Sequence, residues 1–294
     1  MSIAFIWPGL AIAAAALQVV RNAAQRDLTR RLGVWGAAYI RFLYGLPFAL
    51  AWGALIVAWR GASGGPSLPF WGWTFVGAST QAAATGLLVM AMRGRAFAVA
   101  TALSKTEVLG SALVGVLLIA DRLSAGDWLG AALGTLGVTL MAHVSVDRNA
   151  LNAALAGIAS GLLFSFSSVA YRAASHDWGG DPWVGAAATL IATLTMQTAG
   201  GAVLLLVFAP RTFSDVLKAW KPSLIPGAAG ALASACLFSA FSLGPSAAAV
   251  KTVQLVDVLI AWGVSHRLMR ERISPVEMLG AALVLAGAMA VLLA

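Results

Sequence analysis

Five strongly ionisable side chains stand well inside stretches that are otherwise apolar: Arg41, Lys105, Glu107, Lys251 and Asp257. A charge in the middle of a membrane helix costs about 2.5–3.5 kcal/mol on insertion scales, so a chain keeps one only where it pairs, meets water or works. Two of the five are acids and three are bases. Such groups can lock onto one another and hold segments together, they can bind a small charged molecule, or a desolvated carboxyl can exchange a proton. Lys105 and Glu107 are two residues apart and so point to different faces of one helix, and Lys251 and Asp257, six apart, are equally poorly placed to pair. Pairing between distant segments is the better expectation, Glu107 with Lys251 or Asp257 with Lys105, and spacing does not choose between them.

Polar neighbours could complete a binding site. Gln18, Gln81, Gln254, Ser165, Ser168 and Tyr171 could add hydrogen bonds, and Tyr39, Tyr44, Phe164, Phe166 and Trp262 could wall a cavity. Each also has a purely structural use. Short hydroxyl side chains bond the preceding helical turn, amides glue helices together, and aromatic rings pack. Arg41 stands nearer a helix end, from which its long stem can reach water.

The elements that must position these residues are membrane helices. The 294 residues are 60% hydrophobic and 10% charged, where soluble domains carry about 25% charged residues. Ten stretches are long and apolar enough to span: 3–20, 34–59, 70–92, 96–119, 126–144, 152–172, 183–208, 224–243, 247–267 and 275–293. All are expected to be helices, because only helices or closed barrels satisfy the backbone in lipid. Arg21, Arg26, Arg30 and Arg31 follow the first span rather than precede it, so it is expected to be a retained helix and not a cleaved leader. Most tryptophans stand near span ends, as an interfacial belt does.

Several classes drop out. The net charge of +8 comes from short loops between apolar runs rather than from a basic face, so no nucleic-acid partner is expected. His143, His176 and His266 have no metal-ligand spacing, and Cys236 is a single packed cysteine. No nucleophile–base pair and no phosphate-binding Gly-rich loop is present, so neither an enzyme, a cofactor nor a primary pump is expected.

An internal repeat organises the spans. With an offset of 150, Gly94 meets Gly244, Glu107 meets Asp257, Val108-Leu109 meets Val258-Leu259, and Gly137 meets Gly287. Asp121-Arg122-Leu123-Ser124 meets Glu271-Arg272-Ile273-Ser274, and Leu129-Gly130-Ala131-Ala132-Leu133 meets Leu279-Gly280-Ala281-Ala282-Leu283. Fourteen of the 52 positions from 93 to 144 are identical, whereas composition alone would give about one in ten. The expected fold is an all-α membrane protein of ten transmembrane helices arranged as two five-helix repeats, 1–144 and 151–294. Five is odd, so the second copy enters the membrane inverted. That is the plan of many secondary transporters, which bind substrate near the midplane and alternate access by rocking. Gly126, Gly130 and Gly134, like Gly157 and Gly161, are spaced by four on one helix face, which suits either a sliding surface or static packing.

At these residues the chain resembles the drug/metabolite transporter superfamily, specifically its ten-helix exporters with two EamA-type repeats. The shared pattern is a mid-helix acid, a loop of the form Glu-Arg-x-Ser, and a helix opening with Leu-Gly. Glu107, Asp121-Arg122-Leu123-Ser124 and Leu129-Gly130 match in the first copy, and Asp257, Glu271-Arg272-Ile273-Ser274 and Leu279-Gly280 in the second. Family members often place proline after the acid, where this chain has Val108 and Val258. The resemblance is strongest to the branch that exports aromatic and other amino acids.

It implies a multi-pass protein of the cell inner membrane that moves a small-molecule substrate, with or without coupled protons. A zwitterionic amino acid needs a cation for its carboxylate, which Lys251, Lys105 or Arg41 could offer, and an acceptor for its ammonium, which Glu107 or Asp257 could offer. The alternative is efflux of organic cations or drugs, against which the surplus of buried bases counts. Odd loops carry 13 Lys and Arg, even loops only Arg60, Arg122 and Arg172. The positive-inside rule therefore places both termini outside, although relatives are often drawn with cytoplasmic termini.

Overall fold

The computed structural model describes residues 6–91, 97–141, 148–269 and 274–294. Thirteen α-helices and no strand occur among them: α1 (Ile6–Leu43), α2 (Leu46–Arg60), α3 (Leu68–Ala91), α4 (Phe97–Ser104), α5 (Glu107–Ile119), α6 (Ala125–Met141), α7 (Arg148–Asp177), α8 (Pro182–Phe208), α9 (Pro210–Lys218), α10 (Trp220–Leu243), α11 (Ala247–Gln254), α12 (Val256–Met269) and α13 (Pro275–Leu292). Seven helical stretches of the described residues are long and apolar enough to cross a membrane, from Leu28–Arg60 to Pro275–Leu292. The chain is an all-α, multi-pass membrane protein.

The elements differ from the expected ten in instructive ways. The arginine-rich stretch after the first span continues as helix, and α1 is broken only at Gly33, whose φ of 67° belongs to the left-handed region that glycine tolerates. The span expected at 96–119 is divided into α4 and α5, and that at 247–267 into α11 and α12. Arg172, expected in a loop, lies inside α7, buried, with its guanidinium donating to the Phe241 carbonyl at 2.5 Å. Arg93, Gly94, Arg95, His143 and Glu271-Arg272-Ile273 lie outside the described residues.

Two compact units each draw on both halves of the sequence. The first comprises Met1–Ile12, Thr80–Val169 and Gly244–Ala294; the second comprises Ala13–Ser79 and Ala170–Leu243. In the first, α6 and α13 pack backbone to backbone. A Cβ added at Gly130 would lie 2.6 Å from the Gly287 carbonyl oxygen, and one at Gly137 would lie 2.5 Å from that of Gly280. The pairing of 130 with 287 and 137 with 280 makes the two helices antiparallel. Both start with the same device. The Ser124 hydroxyl accepts from Asp127 N at 3.0 Å while Ser124 N donates to the Asp127 carboxylate at 2.9 Å. Ser274 and Glu277 repeat this at 3.2 and 2.9 Å, a capping box at each helix start.

In the second unit α8 packs against α2 and α10. Tyr171 is fully buried there and donates to the Gly77 carbonyl at 2.9 Å. Asp181 caps α8 through Trp183 N at 2.9 Å and receives two donors of the Arg60 guanidinium at 2.9 and 2.6 Å.

Candidate functional site

The site is built on two matched interruptions in the first unit. Helix α4 ends at Ser104 and α5 begins at Glu107; α11 ends at Gln254 and α12 begins at Val256. At the first break Lys105 N bonds the Ala102 carbonyl at 3.0 Å and Val108 N bonds that of Lys105 at 3.2 Å. At the second, Leu255 N bonds the Thr252 carbonyl at 3.2 Å and Val258 N bonds that of Leu255 at 3.0 Å. These are i→i+3 bonds of the 3₁₀ kind, which tighten a helix locally. The four donors and acceptors at one break lie 150 residues from those at the other. The interruption therefore recurs at the offset of the repeat, without the proline that usually causes a kink.

Each break brings polar backbone ends into an apolar surround, and side chains answer them. The Ser104 and Thr106 hydroxyls donate to the Thr101 and Leu103 carbonyls, each at 2.7 Å, at the end of α4. Ser165 on α7 donates to the Glu107 carbonyl at 3.0 Å and to that of its own Gly161 at 2.9 Å. Gly161 lets α7 come this close: a Cβ there would meet Thr106 Oγ1 at 2.6 Å and Ser104 O at 2.8 Å. The Gly157–Gly161 face is thus a packing surface against the first break. The Asp121 carboxylate accepts from Ala247 N at 3.4 Å, and the Ser246 hydroxyl from Ala249 N at 3.0 Å, so both serve the start of α11.

Four charges then meet in two ion pairs. Lys105 Nζ lies 2.8 Å from Asp257 Oδ2, and Lys251 Nζ lies 3.4 Å from Glu107 Oε2. Both expected pairings form together, each joining one copy of the repeat to the other. All four side chains are 10–15% exposed. Glu107 and Asp257 occupy the first turns of α5 and α12, Lys251 the last turn of α11, and Lys105 follows the end of α4. In the same unit Ala102, Val108, Ala131, Val138, Leu255 and Val284 form a buried apolar cluster. The cluster carries no net formal charge: two ammonium groups oppose two carboxylates.

The other expected site residues are distributed less compactly. Gln254, buried, ends α11 at the second break, and Trp262, half-buried, follows on α12. Gln81 belongs to the same unit, half-buried on α3, where its backbone carbonyl accepts from the Thr85 hydroxyl at 2.8 Å. Gln18, Arg41 and Tyr44 belong to the second unit. The Tyr44 hydroxyl donates to the Val216 and Leu217 carbonyls at 3.0 and 3.3 Å, and Arg41 lies over the Phe42 ring at 4.7 Å. Among the described residues, no three of His, Cys, Asp and Glu gather where they could hold a metal.

No family model matches the chain. No curated protein sequence does either. The likeness is structural. Of 28 solved chains that resemble it, one, described only as the crystal structure of a protein, has a TM-score of 0.65 and 16% identity, covering 96% of this chain and 97% of its own. At that identity the resemblance extends to the fold.

Proposed function

We propose that the chain is a secondary transporter of the cell inner membrane. It would export amino acids, aromatic and neutral ones, or similar small zwitterionic metabolites by alternating access. In this reading its ten spans form two inverted five-helix repeats of the drug/metabolite transporter type. The observation that carries it is the pair of reciprocal ion pairs at the matched breaks: Lys105–Asp257 and Lys251–Glu107. Interrupted helices at membrane depth with buried charges are how many secondary transporters build a substrate site. Inversion is supported by α6 and α13, which are repeat mates by sequence and run antiparallel through Gly130–Gly287 and Gly137–Gly280.

The charge balance favours a zwitterion. Its carboxylate can replace Glu107 on Lys251 while its ammonium replaces Lys105 on Asp257, and the buried net charge stays zero. An organic cation would meet two ammonium groups beside the carboxylates.

Uptake of labelled aromatic and small neutral amino acids into proteoliposomes tests the proposal, with Lys251→Ala alongside. Saturable uptake that the variant loses is expected. Uptake retained by the variant would move the site away from Lys251, and no uptake of any amino acid would sink the substrate class.

A further inference from the structure

An open groove of about 310 Å³ lies in the second unit. Leu28, Leu32 and Pro222 line it with Arg31, Asp215 and Lys218. Its walls are the arginine-rich part of α1, the short helix α9 and the start of α10. Helix α9 is amphipathic: Val216 is fully buried, while Arg211, Asp215 and Lys218 are exposed. Beside it Phe208, Leu217, Trp220 and Ile225 are exposed large apolar side chains, 48–79% accessible. Lys221 Nζ sits 5.5 Å over the Trp220 ring. Tryptophan next to lysine at the foot of an apolar helix marks the membrane–water boundary.

Three observations together define what would fit. Arg31, Lys218 and Asp215 line one groove, yet none forms an ion pair with another described residue. Two cations are therefore free for an anion and one carboxylate for a hydroxyl donor. The floor is apolar, so the ligand carries hydrocarbon beside its charge. Arg30, Arg31, Arg211, Lys218 and Lys221 are all exposed on the three elements that form the groove, a basic density that attracts the anionic lipids of a leaflet.

We infer that this groove binds the headgroup of an anionic phospholipid of the phosphatidylglycerol type. The phosphate sits between Arg31 and Lys218, a glycerol hydroxyl donates to Asp215, and the acyl chains run along the apolar side chains of α10. The inference stands independently of any transported substrate.

Native mass spectrometry of the full chain in detergent tests it, with phosphatidylglycerol, phosphatidylethanolamine and soluble glycerol phosphate offered separately. Phosphatidylglycerol should bind in preference to both. The double variant Arg31→Gln/Lys218→Gln should weaken it about 30-fold, the effect of two basic groups at a membrane surface. Arg31→Lys/Lys218→Arg keeps the charges and should keep the lipid. Equal binding of phosphatidylethanolamine, glycerol phosphate bound as tightly as the lipid, retention by the neutral variant, or loss by the charge-conserving one would each overturn the assignment.

Discussion

Removing one partner of the Lys105–Asp257 pair should harm the protein more than removing both. The groups lie 2.8 Å apart, and at an effective dielectric constant of about 20 their attraction is about 6 kcal/mol. Most of that offsets the cost of taking two charges out of water, so the intact pair adds little net stability. Lys105→Met leaves the Asp257 carboxylate, 7% exposed, facing an apolar side chain. Breaking a buried pair from one side costs about 3–5 kcal/mol, and Asp257→Asn should cost a similar amount.

The double variant strands nothing. Its loss should fall below the sum of the single losses by about 3 kcal/mol, well beyond the few tenths seen for independent sites. The assay is a double-mutant cycle on unfolding free energy in mixed micelles titrated with a denaturing detergent. The same cycle on Lys251 and Glu107 should give a smaller coupling, because 3.4 Å of separation lowers the attraction to about 5 kcal/mol. Additive losses at Lys105 and Asp257 would refute the reasoning, since groups that do not couple are not a pair.

Four further outcomes follow from the packing and the ends. Gly137→Leu should lower the yield of folded protein and its melting temperature sharply, because even a Cβ would come within 2.5 Å of the Gly280 carbonyl. Gly200→Ala, with nothing within 4 Å, should be neutral or gain up to about 1 kcal/mol in the same measurement. Ser124→Ala and Ser274→Ala should each cost about 1 kcal/mol of unfolding free energy by removing an N-cap. At Asp181, burial raises the carboxyl pKa, but the hydrogen bond from Arg60, the backbone N–H of Trp183 and the Arg60 charge outweigh it and hold it below the ordinary 3.8. A depressed pKa stabilises the fold above the unfolded value and loses that contribution as pH falls through the folded one. Melting curves should therefore drop below about pH 4 at this site, and Arg60→Gln should flatten that part of the profile.

The ionisable residues were legible in the sequence because their cost in an apolar stretch demands partners, and spacings that forbid pairing within one helix point to partners on other segments, although which acid meets which base does not follow from them. The matched breaks were not legible. Lys105-Thr106 and Leu255 carry none of the usual breakers, and Val108 and Val258 stand where a proline would have signalled a kink. The capping boxes do carry a sequence signal: Ser124 and Ser274 each precede an acid by three residues, which marks a helix start. Hydropathy also misplaced two boundaries. Residues 21–32 are polar but rich in Ala, Arg, Gln and Leu, good helix formers, so α1 continues through them to Gly33. Arg172 ended an apolar window, yet α7 runs to Asp177 because the guanidinium finds the Phe241 carbonyl.

The position of each charge relative to its own helix explains why the partners are exchanged between copies. A helix end carries about half an elementary charge, positive at the N-terminus and negative at the C-terminus. Glu107 and Asp257 sit on N-terminal turns, while Lys105 and Lys251 sit at C-terminal ends. Each interruption therefore neutralises its own dipoles with its own side chains, and what remains is satisfied by the other copy at 2.8 and 3.4 Å. The helices do not need the cross-copy bonds in order to be capped. On the proposed reading those bonds would give way to a ligand that supplies one carboxylate and one ammonium, and the dipoles would stay answered while it is bound. A ligand with a single sign of charge would leave either two lysines or two acids uncompensated beside it. If Lys251→Met/Glu107→Gln, which removes one cation and one anion together, abolishes amino-acid uptake while leaving the melting temperature near that of the parent, the pair serves the ligand. If uptake and stability fall together, the pair serves the fold.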